Sequence, residues 1–177
     1  MIQLAIEAAL ETGKYLKESV GKVLQVESKF GQETNLVTQI DKNAEEIIIN
    51  KIRKKYPDHD FLAEESGSHN KQSEYRWIID PLDGTLNFTH GIPLFSVSIA
   101  VEKQGEVVAG VVYEPNLDEL FTAEKGKGAF LNKKPIRVSK VDSLIESMMV
   151  TGFPYTIRDN PDNAVQHFVN LLMKVQG

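Results

Sequence analysis

Apolar residues recur every three or four positions at the start of the chain. Ile2, Ile6, Ala9, Leu10, Gly13, Leu16 and Val20 form one stripe, and Glu7, Glu11, Lys14 and Glu18 fall elsewhere. That period predicts an amphipathic helix over residues 1–19, closed by Gly21. Residues 23–30 alternate in part, as a strand or hairpin arm does, and 31–35 form a polar turn. Residues 38–56 return to the helical period, with Ala44, Ile47, Ile48 and Ile52 as the stripe and Pro57 as the stop. Thr38-x-x-Asp41 supplies a helix start with an acid in the first turn. The basic run Lys51, Arg53, Lys54 and Lys55 reads as a solvated face near the helix C-terminus.

The pattern then changes. Phe61-Leu62-Ala63 is a short buried-strand candidate that ends directly in Glu64-Glu65-Ser66-Gly67. A polar loop follows at 69–74, and an apolar run starting at Trp77 ends in Asp80-Pro81-Leu82-Asp83-Gly84-Thr85. Proline lacks the ladder donor, so the chain is expected to turn at Asp80-Pro81 rather than continue as a central strand. Beyond Phe88, short apolar runs at 94–102, 106–113, 119–123 and 129–131 alternate with polar turns and predict an antiparallel meander. Residues 144–152 read as a further strand, and 161–175 as a helix opening at Pro161 and Asp162.

Composition narrows the class. The 177 residues suit one domain or a domain and a half, and 41% hydrophobic with 25% charged residues is the balance of a soluble globular chain. A net charge of −5 argues against a dedicated nucleic-acid binder. No run approaches the ~20 apolar residues of a membrane span, and no leader-like segment precedes the first helix. With no cysteine there is no thiolate chemistry and no disulfide framework, which fits a cytoplasmic protein. Ser66 and Ser96 lack the Gly-x-Ser-x-Gly elbow of serine hydrolases. His59, His69, His90 and His167 lack metal-ligand spacing and read as surface or packing residues. Gly126-Lys127-Gly128 lacks the phosphate-loop frame and reads as a hairpin turn.

The acids at the strand ends are the candidate chemistry. Asp80 and Asp83, crowded after one strand, repel each other unless a cation sits between them, and a divalent metal is the simplest such cation. Ordinary Asx-type caps are the other reading of the same spacing. Glu64 and Glu65, at the end of a second strand, can be delivered to the same point. Gly84-Thr85 can open a helical turn whose free N–H groups face an anion.

Several segments, in order, resemble the inositol monophosphatase family of metal-dependent, lithium-sensitive sugar phosphatases. Leu36-Val37-Thr38-Gln39-Ile40-Asp41 looks like its first acidic motif. Ala63-Glu64-Glu65-Ser66 looks like its Glu-Glu motif, with Ala63 where glycine is frequent. Residues 77–88 look like its Asp-Pro-x-Asp-Gly-Thr-x-Asn-Phe signature. The resemblance implies a layered α/β/α/β/α sandwich, of which this chain holds the helix pair and the large antiparallel sheet. It implies Mg²⁺ held by Glu64, Asp80, the Leu82 carbonyl and Asp83. Asp41, Glu64 and Thr85 fall in the catalytic set, Asp41 and Thr85 orienting the attacking water. Leu82, Asp83, Gly84 and Thr85 fall in the substrate-binding set, with the Gly84 and Thr85 N–H groups holding phosphate. The implied reaction is in-line hydrolysis of inositol monophosphate, without a covalent intermediate. Fructose-1,6-bisphosphatase, nucleotide-phosphate phosphatase and a non-catalytic regulatory module are the alternatives. Small phosphorylated polyols or sugars are the implied substrates, and a homodimer the implied full-length assembly. Family members are longer and carry a Trp-Asp motif that completes the metal cluster. Trp77 is the only tryptophan here. Residues 1–177 are therefore expected to be the N-terminal portion of such a domain, inactive or very weak alone and with an apolar face uncovered.

Overall fold

The computed structural model describes residues 1–20, 26–28, 36–153, 155–159 and 163–177. Helix α1, Ile2–Ser19, forms where its period predicts, but its buried face is Leu4, Ala5, Ala8, Ala9, Thr12, Gly13, Leu16 and Ser19. Of the predicted stripe Ala9, Gly13 and Leu16 are buried, while Leu10 is 39% exposed. Strands β1, Val26–Ser28, and β2, Leu36–Thr38, form an antiparallel pair. Helix α2, Gln39–Lys55, runs straight on from β2 and buries Ile40, Asp41, Ala44, Glu45, Ile48, Ile49 and Ile52. The two helices pack on each other and on one face of the main sheet, α1 against its middle strands and α2 against β5.

That sheet has eight strands in the order β10-β9-β8-β7-β6-β5-β3-β4. The strands are β3, Asp60–Ala63; β4, Gly67–His69; β5, Tyr75–Asp83; β6, Ser96–Lys103; β7, Glu106–Glu114; β8, Glu119–Glu124; β9, Gly128–Leu131; and β10, Lys134–Ile136. From β5 to β10 it is an antiparallel meander, of which the alternation predicts β6 to β9. The pair β3 and β5 runs parallel. Strands β6 and β7 alternate: Val97, Ile99, Val101, Ala109 and Val111 face the helices in a core that also holds Trp77, Ile79 and Phe61.

Four expectations change. The chain does not leave the sheet at Asp80-Pro81, because β5 runs on to Asp83 beside β6. Pro81 is tolerated because β3 has already ended opposite Ile79 and because the β5–β6 register slips by one residue between Asp80 and Asp83. A missing donor there breaks no rung. The polar stretch after Glu65 is partly ordered as β4, on the sheet edge. Strand β10, with Pro135, closes the opposite edge, where proline is admissible. Residues 144–152 make no strand: 144–146 are a single 3₁₀ turn, and Met148 and Val150 lie 83% and 90% exposed with no neighbouring strand to pair. The end of the first helix at Gly21, the turn at 31–35 and the helix start at Pro161-Asp162 lie outside the described residues.

The last helix, α4, Ala164–Leu172, packs against 149–153, with the Phe153 and Phe168 rings 5.8 Å apart edge to face. Val165, Val169, Leu172 and Met173 stay more than 40% exposed. The sheet face turned away from α1 and α2 is also open, a shallow trough lined by Ala100, Val112, Phe121 and Phe130. Among the described residues, no helix is long and apolar enough to cross a membrane.

Candidate active site

Strands β3 and β5 end side by side, so their terminal acids meet. Asp60↔Arg76 through Ala63↔Ile79 is the parallel register, and the Glu64 N–H donates to the Ile79 carbonyl at 3.1 Å as its last rung. Glu64 thus emerges beside Asp80. The bulge then advances β5 by one residue and brings Asp83 to the same cleft. After Asp83 the chain needs a sharp turn, which Gly84 supplies at φ 94° and ψ 32° before the short helix α3, Thr85–Thr89. A Cβ at Gly84 would lie 2.9 Å from the Leu94 carbonyl oxygen and 3.3 Å from the Phe95 Cα, so both the turn and the close approach require glycine.

Helix α3 is pinned from below. Phe88 is buried against Phe95 with ring centroids 5.0 Å apart. The Asn87 side-chain amide donates to the Leu94 carbonyl at 2.9 Å, and the Phe88 N–H to the Gly84 carbonyl at 3.0 Å. The Thr85 hydroxyl donates back to the Leu82 carbonyl at 3.0 Å. The result is a cleft of about 320 Å³ lined by Glu64, Asp80, Leu82, Asp83, Gly84, Thr85, Leu86 and Asn87.

The electrostatics of the cleft are one-sided. Asp80 is pushed up to about 7, first by burial, then by the Glu64 charge and a hydrogen bond with Glu64, and further by Asp83. One hydrogen bond from the Leu82 N–H, at 3.2 Å, pulls the other way. A carboxyl held that far above its usual range marks a site built for more positive charge than its own residues provide. No Lys or Arg is among the described residues lining the cleft. Its donors are carboxylate and carbonyl oxygens, the set a hard divalent cation prefers. The chemistry of that set fits Mg²⁺, although among the described residues no three acidic or histidine side chains already stand in ligand geometry around one point.

Glu64, Asp80, Leu82, Asp83, Gly84 and Thr85 therefore share one cleft, as the motif reading expects. Asp41 stands outside its lining, 2% exposed in the first turn of α2. Strand β2, which leads into α2, packs against α3, so the helix start is delivered next to the site. Sequence reading missed Glu45, one helical turn beyond Asp41 and 3% exposed. Its two oxygens accept the N–H groups of Glu65 and Ser66 at 2.8 and 3.0 Å. The available signal was its place on the apolar stripe, beside Ala44 and four residues before Ile49. His59 proves a packing residue. It lies between Tyr56 and Tyr75, with centroids at 4.5 and 5.1 Å, and its Nδ1 accepts the Trp77 indole N–H at 3.0 Å.

Helices on a large, mostly antiparallel sheet, with acids gathered where two strands end, define a protein of the sugar-phosphatase fold. The chain belongs to the inositol monophosphatase family, which it matches over residues 1–175. This is a family of phosphatase enzymes, generally metal-dependent. The chain is 40% identical to an inositol-1-monophosphatase of Mesorhizobium japonicum, over 100% of its own length and 67% of that protein's. It is 44% identical to the Nus factor SuhB of Pasteurella multocida, over 88% of the chain and 58% of that protein. Among solved structures, the extragenic suppressor protein suhB of Bartonella henselae superposes with a TM-score of 0.92 at 42% identity, covering 99% of this chain and 67% of that one.

Proposed function

We propose that the cleft is the metal- and phosphate-binding part of a Mg²⁺-dependent phosphomonoesterase acting on inositol monophosphate. The observation that carries this reading is the meeting of Glu64, Asp80 and Asp83 at the ends of β3 and β5, beside the Leu82 carbonyl and the turn at Gly84. Glu64, Asp80, Asp83 and the Leu82 carbonyl would hold the metal. When bound, Mg²⁺ supplies charge neutralisation for the phosphate and the leaving oxygen and a more acidic water for in-line attack. Of the chain's own groups, the Gly84 and Thr85 N–H face the phosphate oxygens. Asp41 and the Thr85 hydroxyl orient the attacking water, and Glu64 holds its carboxylate toward the same point. Homodimeric assembly of full-length copies and a cytoplasmic setting belong to the same proposal.

The test reads binding, because the matched region is 67% of the Mesorhizobium protein's length. ³¹P NMR of inositol monophosphate with the chain is expected to show Mg²⁺-dependent binding that Asp83→Asn abolishes. Binding indifferent to both Mg²⁺ and Asp83→Asn would overturn the assignment. Preference for fructose 1,6-bisphosphate or a nucleotide phosphate in the same titration would select another member of the superfamily. A second reading, a non-catalytic regulatory module, is favoured by the 44% identity to the Pasteurella Nus factor. A partner captured equally by the wild type and by Asp80→Asn and Asp83→Asn variants would support it.

A further inference from the structure

The three-residue turn Glu64-Glu65-Ser66 joins Ala63 of β3 to Gly67 of β4. Its first N–H is taken by the Ile79 carbonyl of β5. The next two need an acceptor of their own, because a backbone donor without one is costly. They are met by one side chain from a different layer: the two oxygens of Glu45, reaching down from α2, take one N–H each at 2.8 and 3.0 Å. Glu45 is 3% exposed, and Asp41, one turn earlier on the same helix face, is 2% exposed. The turn is thereby held at both ends, to β5 through Glu64 and to α2 through Glu65 and Ser66.

We propose that Glu45 is a positioning residue for the metal site: it clamps the 64–66 turn to α2 and so sets where the Glu64 carboxylate meets Asp80. This rests on the metal-site reading of the cleft. A charged carboxylate bridging two adjacent N–H groups is a strong and directional contact. The turn's direction, and with it the Glu64 Cα–Cβ vector, depends on it. With Glu45→Gln, one oxygen can still accept, but the amide NH₂ then faces a backbone N–H, donor against donor. One end of the turn is released, and Glu64 loses its fixed approach to Asp80.

The measurement is Mg²⁺ affinity by isothermal titration of the whole chain, alongside its thermal midpoint. The control is Ile48→Val, a fully buried position on the same helix with no contact to the turn among the hydrogen bonds above. Glu45→Gln is expected to weaken Mg²⁺ about 10- to 100-fold, the range typical of residues that orient a metal ligand. Ile48→Val should lower the midpoint and leave the affinity within about twofold, since it alters packing and not ligand orientation. Equal Mg²⁺ affinity in the wild type and Glu45→Gln would overturn the clamp while leaving the metal site standing. A comparable loss in Ile48→Val would overturn it too, by showing that affinity follows stability alone. A wild type that binds no Mg²⁺ would remove the metal site and the clamp with it. If Glu45→Gln does not fold, Glu45→Asp decides. Its side chain is one methylene shorter, so the carboxylate is drawn back from both N–H groups, and wild-type affinity in that variant would refute the proposal.

Discussion

Gly84 combines a left-handed backbone with a close approach to neighbouring backbone atoms, and Gly84→Ala measures both. Two separate penalties arise. Alanine at φ 94° must occupy a left-handed backbone region, which costs roughly 1–2 kcal/mol for a residue with a Cβ. The new methyl also meets the Leu94 carbonyl oxygen at 2.9 Å and the Phe95 Cα at 3.3 Å, both backbone atoms that cannot swing aside. Overpacking of that kind costs typically about 1–3 kcal/mol. Gly126 provides the control, because it sits at φ 78° with nothing within 4 Å of a built Cβ. Gly126→Ala carries only the conformational penalty, and the difference between the two variants isolates the close approach. At ~2–4 °C per kcal/mol for a chain of this size, Gly84→Ala should melt several degrees below Gly126→Ala in a scan followed by circular dichroism. Equal midpoints would refute the reasoning, since the steric term would then be absent and the α3 turn free to open.

Further outcomes are expected. His59 is held below its ordinary pKa by burial, despite the opposing pull of Asp58, Asp60 and Glu74. Its stabilising contribution is therefore complete above about pH 6.5, the unfolded value, and is lost as pH falls below it, because the unfolded chain takes up the proton more readily. His59→Phe keeps the aromatic stack and deprives the Trp77 N–H of its acceptor. It should cost about 1–3 kcal/mol, remove this acid-side slope and alter the fluorescence of the single tryptophan; an unchanged pH profile would contradict the assignment. The open sheet face and the exposed apolar side of α4 predict concentration-dependent self-association in sedimentation velocity, reduced by Val169→Glu. A monodisperse monomer at all concentrations would contradict that.

Much of the fold is written locally. The helical period locates α1 and α2, although the buried face of α1 is turned from the predicted stripe onto Leu4, Ala5, Ala8 and Thr12, and Ile47 of α2 is only half-buried. The meander from β6 to β9 follows its turn residues. The candidate site was legible because its acidic residues cluster in two strand-ending motifs. What escaped depends on neighbours in space. Pro81 is admissible in a strand only because β3 stops two residues earlier and a bulge takes up the register. Strand β4 forms on the edge that β3 offers, whereas residues 144–152 pair with no strand among the described residues. Glu45 looks like any helical glutamate until the 64–66 turn is placed beneath it.

The central claim is that Glu64, Asp80, the Leu82 carbonyl and Asp83 form one divalent-cation site. Isothermal titration of Mg²⁺ into the full chain, compared with Asp80→Asn and Asp83→Asn, tests it most directly. The account predicts saturable binding by the wild type and a loss of at least about tenfold in each variant, as expected when a charged ligand is removed from a hard-cation site. Undiminished Mg²⁺ binding in both variants, or none in the wild type, would contradict it.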